Sequence, residues 1–93
     1  MWILHGLDAT YRLPVGSVRT VGRAPRADFV VDAALVSRLH CQITAGTEKL
    51  EVIDLSSTNG TFVNDQRIDR ASLSPGDRLR VGRLELTVKG PAR

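Results

Sequence analysis

A single cysteine, Cys41, rules out any disulfide within the chain, and with it the small secreted domains that depend on such bonds. It sits in an apolar alternation and reads as a buried, inert thiol. Nor does it belong to a metal-binding set: the histidines are His5 and His40 alone, Cys41 adjoins His40, and no metal-ligand spacing exists. Aromatic side chains are equally scarce: Trp2, Tyr11, Phe29 and Phe62. Phe29 and Phe62 fall in strand patterns that read as core, which leaves no stacking platform for single-stranded nucleic acid. No apolar run approaches the roughly 20 residues of a membrane span. The opening "MWILHGLDATYRL" has only a short apolar start and no basic segment before it, so it is not a signal peptide. A convincing helical period is missing too. "DAALVSRL" (32–39) comes nearest and is too short to stand alone, so it reads as a loop with at most one helical turn. These absences point to a cytoplasmic setting, or a nuclear one in a eukaryote.

What the chain does contain is arginine and short strands. Of 13 cationic residues only Lys49 and Lys89 are lysine, and the formal net charge is +3. Guanidinium suits forked recognition of phosphate and carboxylate, so the balance is compatible with an anionic ligand without requiring one. "LEVIDL" (50–55) and "RLRVGRLELTV" (78–88) alternate apolar with polar residues, as do "SVRTV" (17–21) and "HCQIT" (40–44). Period-2 alternation means one face buried and one solvated. Gly16, Pro25, Asp32, Gly46, Asn59-Gly60, Asn64-Asp65 and Pro75-Gly76 punctuate these runs, which predicts an all-β sandwich or barrel. At 93 residues the chain forms one small domain whose modest core leaves little material for a deep active site. "KGPAR" (89–93) reads as the start of a linker, placing the domain over 1–89 as the N-terminal module of a longer chain or as a free-standing protein.

Three polar clusters interrupt the strand pattern: "VGRAPRADF" (21–29), "VSRLH" (36–40) and "DLSSTNGTFVN" (54–64). Singly, each has an ordinary reading as a surface arginine, a structural histidine or a turn. In this order they are specific. Gly22-Arg23, then Ser37-Arg38-x-His40, then Thr58-Asn59-Gly60 and an Asn64-led turn resemble the forkhead-associated (FHA) domain over nearly the whole chain.

That resemblance implies a β-sandwich of about eleven short, mostly antiparallel strands, with loops at one end that bind a phosphothreonine-containing segment of a protein partner. It implies a module that recruits that partner in signalling, with no catalysis, no cofactor, no nucleic-acid or membrane partner, and a monomeric state. By similarity Arg23 and Ser37 hold phosphate oxygens. Arg38 and Thr58 complete the cradle, Arg38 acting through its backbone N–H more than its side chain. Asn59 clamps the ligand backbone with its amide. His40 bridges the binding loops, and Gly22, Gly60 and Asn64 support them. The chemistry agrees: a phosphothreonine carries roughly −1.5 to −2 charge and three acceptor oxygens, and needs fixed donors. The apolar "AALV" (33–36) carries no charge to attract an acidic residue beyond the phosphothreonine. One departure stands out. Asn64 is followed by Asp65 where the family usually has Gly, which predicts a different turn or a longer loop over 64–67. The competing readings are a hydrolase triad of Ser37, His40 and Asp54 without a nucleophile elbow, a small nucleic-acid-binding β domain, and a phosphate-independent interaction through a sheet face.

Overall fold

The computed structural model describes residues 1–91. The linker expected over 90–93 lies partly outside them, at residues 92 and 93; Gly90 and Pro91 follow the last strand without joining it. The strands are β1 (Trp2–His5), β2 (Thr10–Leu13), β3 (Val18–Gly22), β4 (Phe29–Val30), β5 (Cys41–Ala45), β6 (Leu50–Asp54), β7 (Thr61–Val63), β8 (Gln66–Ile68), β9 (Arg70–Leu73), β10 (Arg78–Val81) and β11 (Leu84–Lys89). They form a six-stranded sheet, β2-β1-β11-β10-β7-β8, and a five-stranded sheet, β4-β3-β5-β6-β9. Among the described residues only β3 and β4 pair in parallel.

The alternation read from the sequence is what packs the two sheets together. In β5, Cys41, Ile43 and Ala45 turn inward and are buried, while Gln42 and Thr44 turn outward. Leu50 and Val52 face them along β6, and Leu79, Val81, Leu86 and Val88 line the opposite sheet. Trp2 is fully buried, and its indole N–H donates to the Gly46 carbonyl at 2.7 Å, so the largest core side chain leaves no polar atom unpaired.

Two expectations are corrected and one is narrowed. Phe62 is not core: it pairs with Arg67 and Arg80 on the outer face of the six-stranded sheet, under the Arg80 guanidinium 4.1 Å from its ring centroid. Residues 32–39 contain no helical turn, because Leu35 takes φ 71°, which a right-handed helix does not accommodate. The Asn64-Asp65 connection is neither longer nor irregular. Val63 pairs with Gln66, and φ of 49° and 69° at the two central residues give the tight type I′ turn. Asp tolerates the left-handed region well enough to stand where Gly is usual.

The registers also sort the loops between two poles. β1 starts where β11 ends, with Ile3 opposite Lys89, and Trp2 reaches the loop after β5. β3, β6 and β10 end at the other pole, where β5, β7 and β11 begin. The segments 23–28, 31–40 and 55–60 therefore leave from the pole opposite the chain ends.

Candidate functional site

Two backbone zippers bring the three polar clusters together. In the first, the Arg23 N–H donates to the Ser37 carbonyl at 2.9 Å and the Ala24 N–H to the Arg38 carbonyl at 3.0 Å. The His40 N–H continues it to the Val21 carbonyl at 2.7 Å. This approach needs a glycine at position 22: a Cβ there would lie 2.0 Å from the Arg38 carbonyl oxygen. The result places Arg23 and Arg38, both exposed, on adjacent loops beside Ser37. Arg38's own N–H donates to no acceptor among the described residues.

The second zipper joins residues 35–40 to 57–60. The Thr58 N–H donates to Ser37 Oγ at 3.0 Å, and Asn59 Nδ2 donates to the Leu35 carbonyl at 3.3 Å. His40, fully buried, lies behind both loops. Its Nδ1 accepts the Ser37 N–H at 3.0 Å, which fixes the tautomer, so Nε2–H donates to the Gly60 carbonyl at 2.8 Å. Ser37 Oγ accepts from Thr58, so its own proton is available to an incoming acceptor. Thr58's backbone N–H is already engaged, which leaves its hydroxyl as the group it offers outward. Asn59 retains its carbonyl oxygen and one N–H.

These bonds also dispose of the hydrolase reading. His40 spends both ring nitrogens on backbone groups, so neither is placed to deprotonate Ser37 Oγ. The Asp54 carboxylate serves other partners. Its Oδ1 accepts from Ser57 Oγ at 2.5 Å and Thr61 Oγ1 at 2.7 Å, and its Oδ2 accepts the Ser57 N–H at 3.2 Å. Ser57 Oγ in turn accepts the Gly60 N–H at 3.0 Å. Burial pushes the Asp54 carboxyl up, but the Ser57 and Thr61 hydroxyls and the Ser57 N–H more than offset it, leaving the group below the usual carboxylate range. Asp54 ends β6 in one sheet and Thr61 begins β7 in the other, so this carboxylate ties the sheets together directly beneath the 57–60 loop. The sequence reading missed its positioning role. The signal was there: Asp, Ser and Thr at 54, 57 and 61, on one side of a turn.

Arg23, Ser37, Arg38, Thr58 and Asn59 thus share one pole, with Gly22, His40 and Gly60 behind them. Gly60 takes φ 90°, and a Cβ there would meet the Arg67 side chain at 2.7 Å. Asn64 stands apart. It lies at the far end of β7 from Gly60. Its Oδ1 accepts the Arg78 N–H at 2.9 Å and its Nδ2 donates to Asp77 at 3.2 Å, so it braces the turn before β10 and not the loops around Ser37. Arg26 was not anticipated. It lines, with Arg23, Ala24, Pro25 and Arg38, an open cleft of about 370 Å³. Arg23, Arg26 and Arg38 pair with no carboxylate among the described residues, where Arg78–Asp65 at 3.2 Å is the one ion pair.

A family model for the FHA domain matches residues 19–82, a span that contains every residue of this pole. The chain is 41% identical over 86 residues to the ABC transporter ATP-binding/permease protein Rv1747 of Mycobacterium tuberculosis, covering 92% of this chain and 10% of that protein. It is 34% identical over 76 residues to the glycogen accumulation regulator GarA of Mycobacterium tuberculosis, covering 81% of this chain and 47% of GarA. The chain therefore spans less than half the length of either relative. A solved structure from a study of phosphothreonine-dependent FHA domain interactions superposes with a TM-score of 0.89 at 33% identity, over 99% of this chain and 98% of that one. With the matched span, the two-sheet architecture and the three joined loops in agreement, this chain belongs to the forkhead-associated domain family.

Proposed function

We propose that the chain is a phosphopeptide-binding module that takes a phosphothreonine in a partner protein at the pole formed by Arg23, Ser37, Arg38, Thr58 and Asn59, and recruits that partner without catalysing a reaction. The observation that carries this reading is the orientation of Ser37. Its hydroxyl oxygen accepts the Thr58 N–H, so its proton is free to donate to a ligand, on a loop whose neighbours Arg23 and Arg38 lack carboxylate partners among the described residues. A dianionic phosphate is the ligand such a donor set fits. Arg23 and Ser37 hold its oxygens, the Arg38 N–H and the Thr58 hydroxyl complete the cradle, and Asn59 holds the peptide backbone beside it. Leu35, held at a positive φ and exposed next to Asn59, presents an apolar surface to the residues that follow. The similar structure from a study of phosphothreonine-dependent FHA domain interactions supports phosphothreonine as the ligand. The module acts as a monomer, in the cytoplasm or nucleus where kinase products are met.

The test is a titration of wild type and Arg23→Ala with matched phosphothreonine, phosphoserine and unmodified peptides. Binding is expected to require the phosphate. Loss of one charged hydrogen-bond partner, about 1.5–3 kcal/mol, lowers affinity roughly 10- to 150-fold in the variant. Affinity falls as pH drops through about 6, where the phosphate takes up its second proton. Equal binding of the unmodified peptide, or an indifferent Arg23→Ala, would overturn the proposal.

A further inference from the structure

Arg26 has no part in the cradle just described, yet the fold delivers it to the same cleft. The Ala27 N–H donates to the Ala24 carbonyl at 3.0 Å, closing a tight turn with Pro25 and Arg26 at its centre. Ala27 is buried, which anchors the turn and holds the exposed Arg26 above the surface, next to Arg23 and Arg38. The one carboxylate in this loop, Asp28, is turned away. Its Oδ2 accepts the Thr20 N–H at 2.8 Å and the Thr20 hydroxyl at 3.1 Å, and the Asp28 N–H returns to Thr20 Oγ1 at 3.1 Å. The loop's own acid is thus consumed in bracing β3 and pairs with none of Arg23, Arg26 and Arg38.

Three guanidiniums then face one cleft, while a single phosphothreonine brings roughly −1.5 to −2 of charge. Arg23 meets that charge through its guanidinium, and Arg38 through its N–H with its guanidinium close by. Arg26 is left with an open, solvent-accessible cleft and no acid.

We infer that Arg26 is a specificity-determining residue that takes a second anionic group on the same peptide, a carboxylate or a second phosphate, on the side of the phosphothreonine away from Asn59. This rests on the phosphothreonine reading and extends it to peptides from acidic or multiply phosphorylated segments. An exposed guanidinium–carboxylate pair is worth up to about 1 kcal/mol, or about fivefold in affinity. A second phosphate, forked onto the guanidinium, gives more, on the order of tenfold.

The experiment uses a parent peptide with one phosphothreonine in an alanine background. A glutamate, or a phosphoserine, is stepped through the three positions on either side. Each peptide is titrated against wild type, Arg26→Ala and Arg26→Glu. One flank is expected to show a position at which glutamate, and more so phosphoserine, strengthens binding to wild type. Arg26→Ala reduces that increment to under about twofold, and Arg26→Glu transfers the preference to a lysine placed at the same position. The glutamate and phosphoserine arms separate the two sources of charge. A parent peptide that binds with no acidic increment at any position, or an increment that survives in Arg26→Ala, would overturn the assignment of Arg26 alone. A parent peptide that fails to bind wild type would overturn the phosphothreonine reading on which it rests.

Discussion

Replacing Asp54 with asparagine keeps the side-chain shape and removes only the charge and one acceptor. The amide oxygen can still accept from the Ser57 and Thr61 hydroxyls, but these become neutral bonds. A neutral bond contributes about 1 kcal/mol where one to a charged group contributes about 1.5–3. The amide nitrogen now opposes the Ser57 N–H, donor against donor, in place of the 3.2 Å bond to Oδ2. Adding these losses, and taking the low end because the carboxylate is only half-buried, gives about 2.5 kcal/mol of destabilisation. The pH dependence is the sharper check. The folded-state pKa of Asp54 lies below its unfolded value, so the unfolded chain binds the proton more readily. The contribution is fully present above the ordinary carboxylate pKa and is lost as pH falls through the lower, folded-state value. Urea denaturation of wild type and Asp54→Asn at neutral pH and at a series of pH values below 4 should show a stability gap that is widest at neutral pH and narrows toward strong acid. A gap unchanged across the series would refute the claim that the ionised carboxylate holds the 57–60 loop.

Three other substitutions or probes bear on the same framework. Gly22→Ala puts a methyl against the Arg38 carbonyl; it should cost about 1–3 kcal/mol in thermal or urea unfolding and lower phosphopeptide affinity as the 37–38 segment is pushed away. Asn64→Ala loses two side-chain bonds and a residue tolerant of φ 49°, about 2–3 kcal/mol of stability. Its peptide affinity in calorimetry should stay within about twofold of wild type, because its bonds serve the β10 turn. The Cys41 thiol is pushed up to about 12, by burial first and by the Asp54 charge second. A thiol reagent at mildly alkaline pH should leave the folded protein unlabelled and react fully once denaturant is added.

Much of the sandwich is legible in the sequence where strands are long enough to alternate. β5, β6, β10 and β11 each show the period because one face meets the opposite sheet, whereas in β3 Val18 turns out to solvent and only its end is buried. β4 has two residues and β7 and β8 have three, too few for a period to appear. That is why the sequence around Phe62 reads as core. Its apolar character is equally served by the Arg80 guanidinium lying on its outward face. Arg23, Ser37, Thr58 and Asn59 stand out in the sequence through the resemblance to the FHA pattern, and the structure brings them to one pole. What spacing does not encode is the cross-loop bonding. That Thr58 serves Ser37 through its N–H, and that Asp54 turns to Ser57 and Thr61, are decided by how two sheets pack. Arg26 was hidden for the same reason. In the chain it is one surface arginine among many, and only the Pro25–Arg26 turn and the withdrawal of Asp28 toward Thr20 set it over the cleft.

Met1 and the end of β11 lie together at the pole opposite the loops, so the domain has a base and a free face. Segments joined to Met1 or beyond Gly90 leave side by side, from the base, and need not cross the mouth where Arg23 and Asn59 stand. Tethering through the base, to a neighbouring domain or a sensor chip, leaves the pole of Arg23 and Asn59 facing outward, which is what the proposed peptide site requires. The same module can then be carried at different places in longer proteins without rebuilding its site.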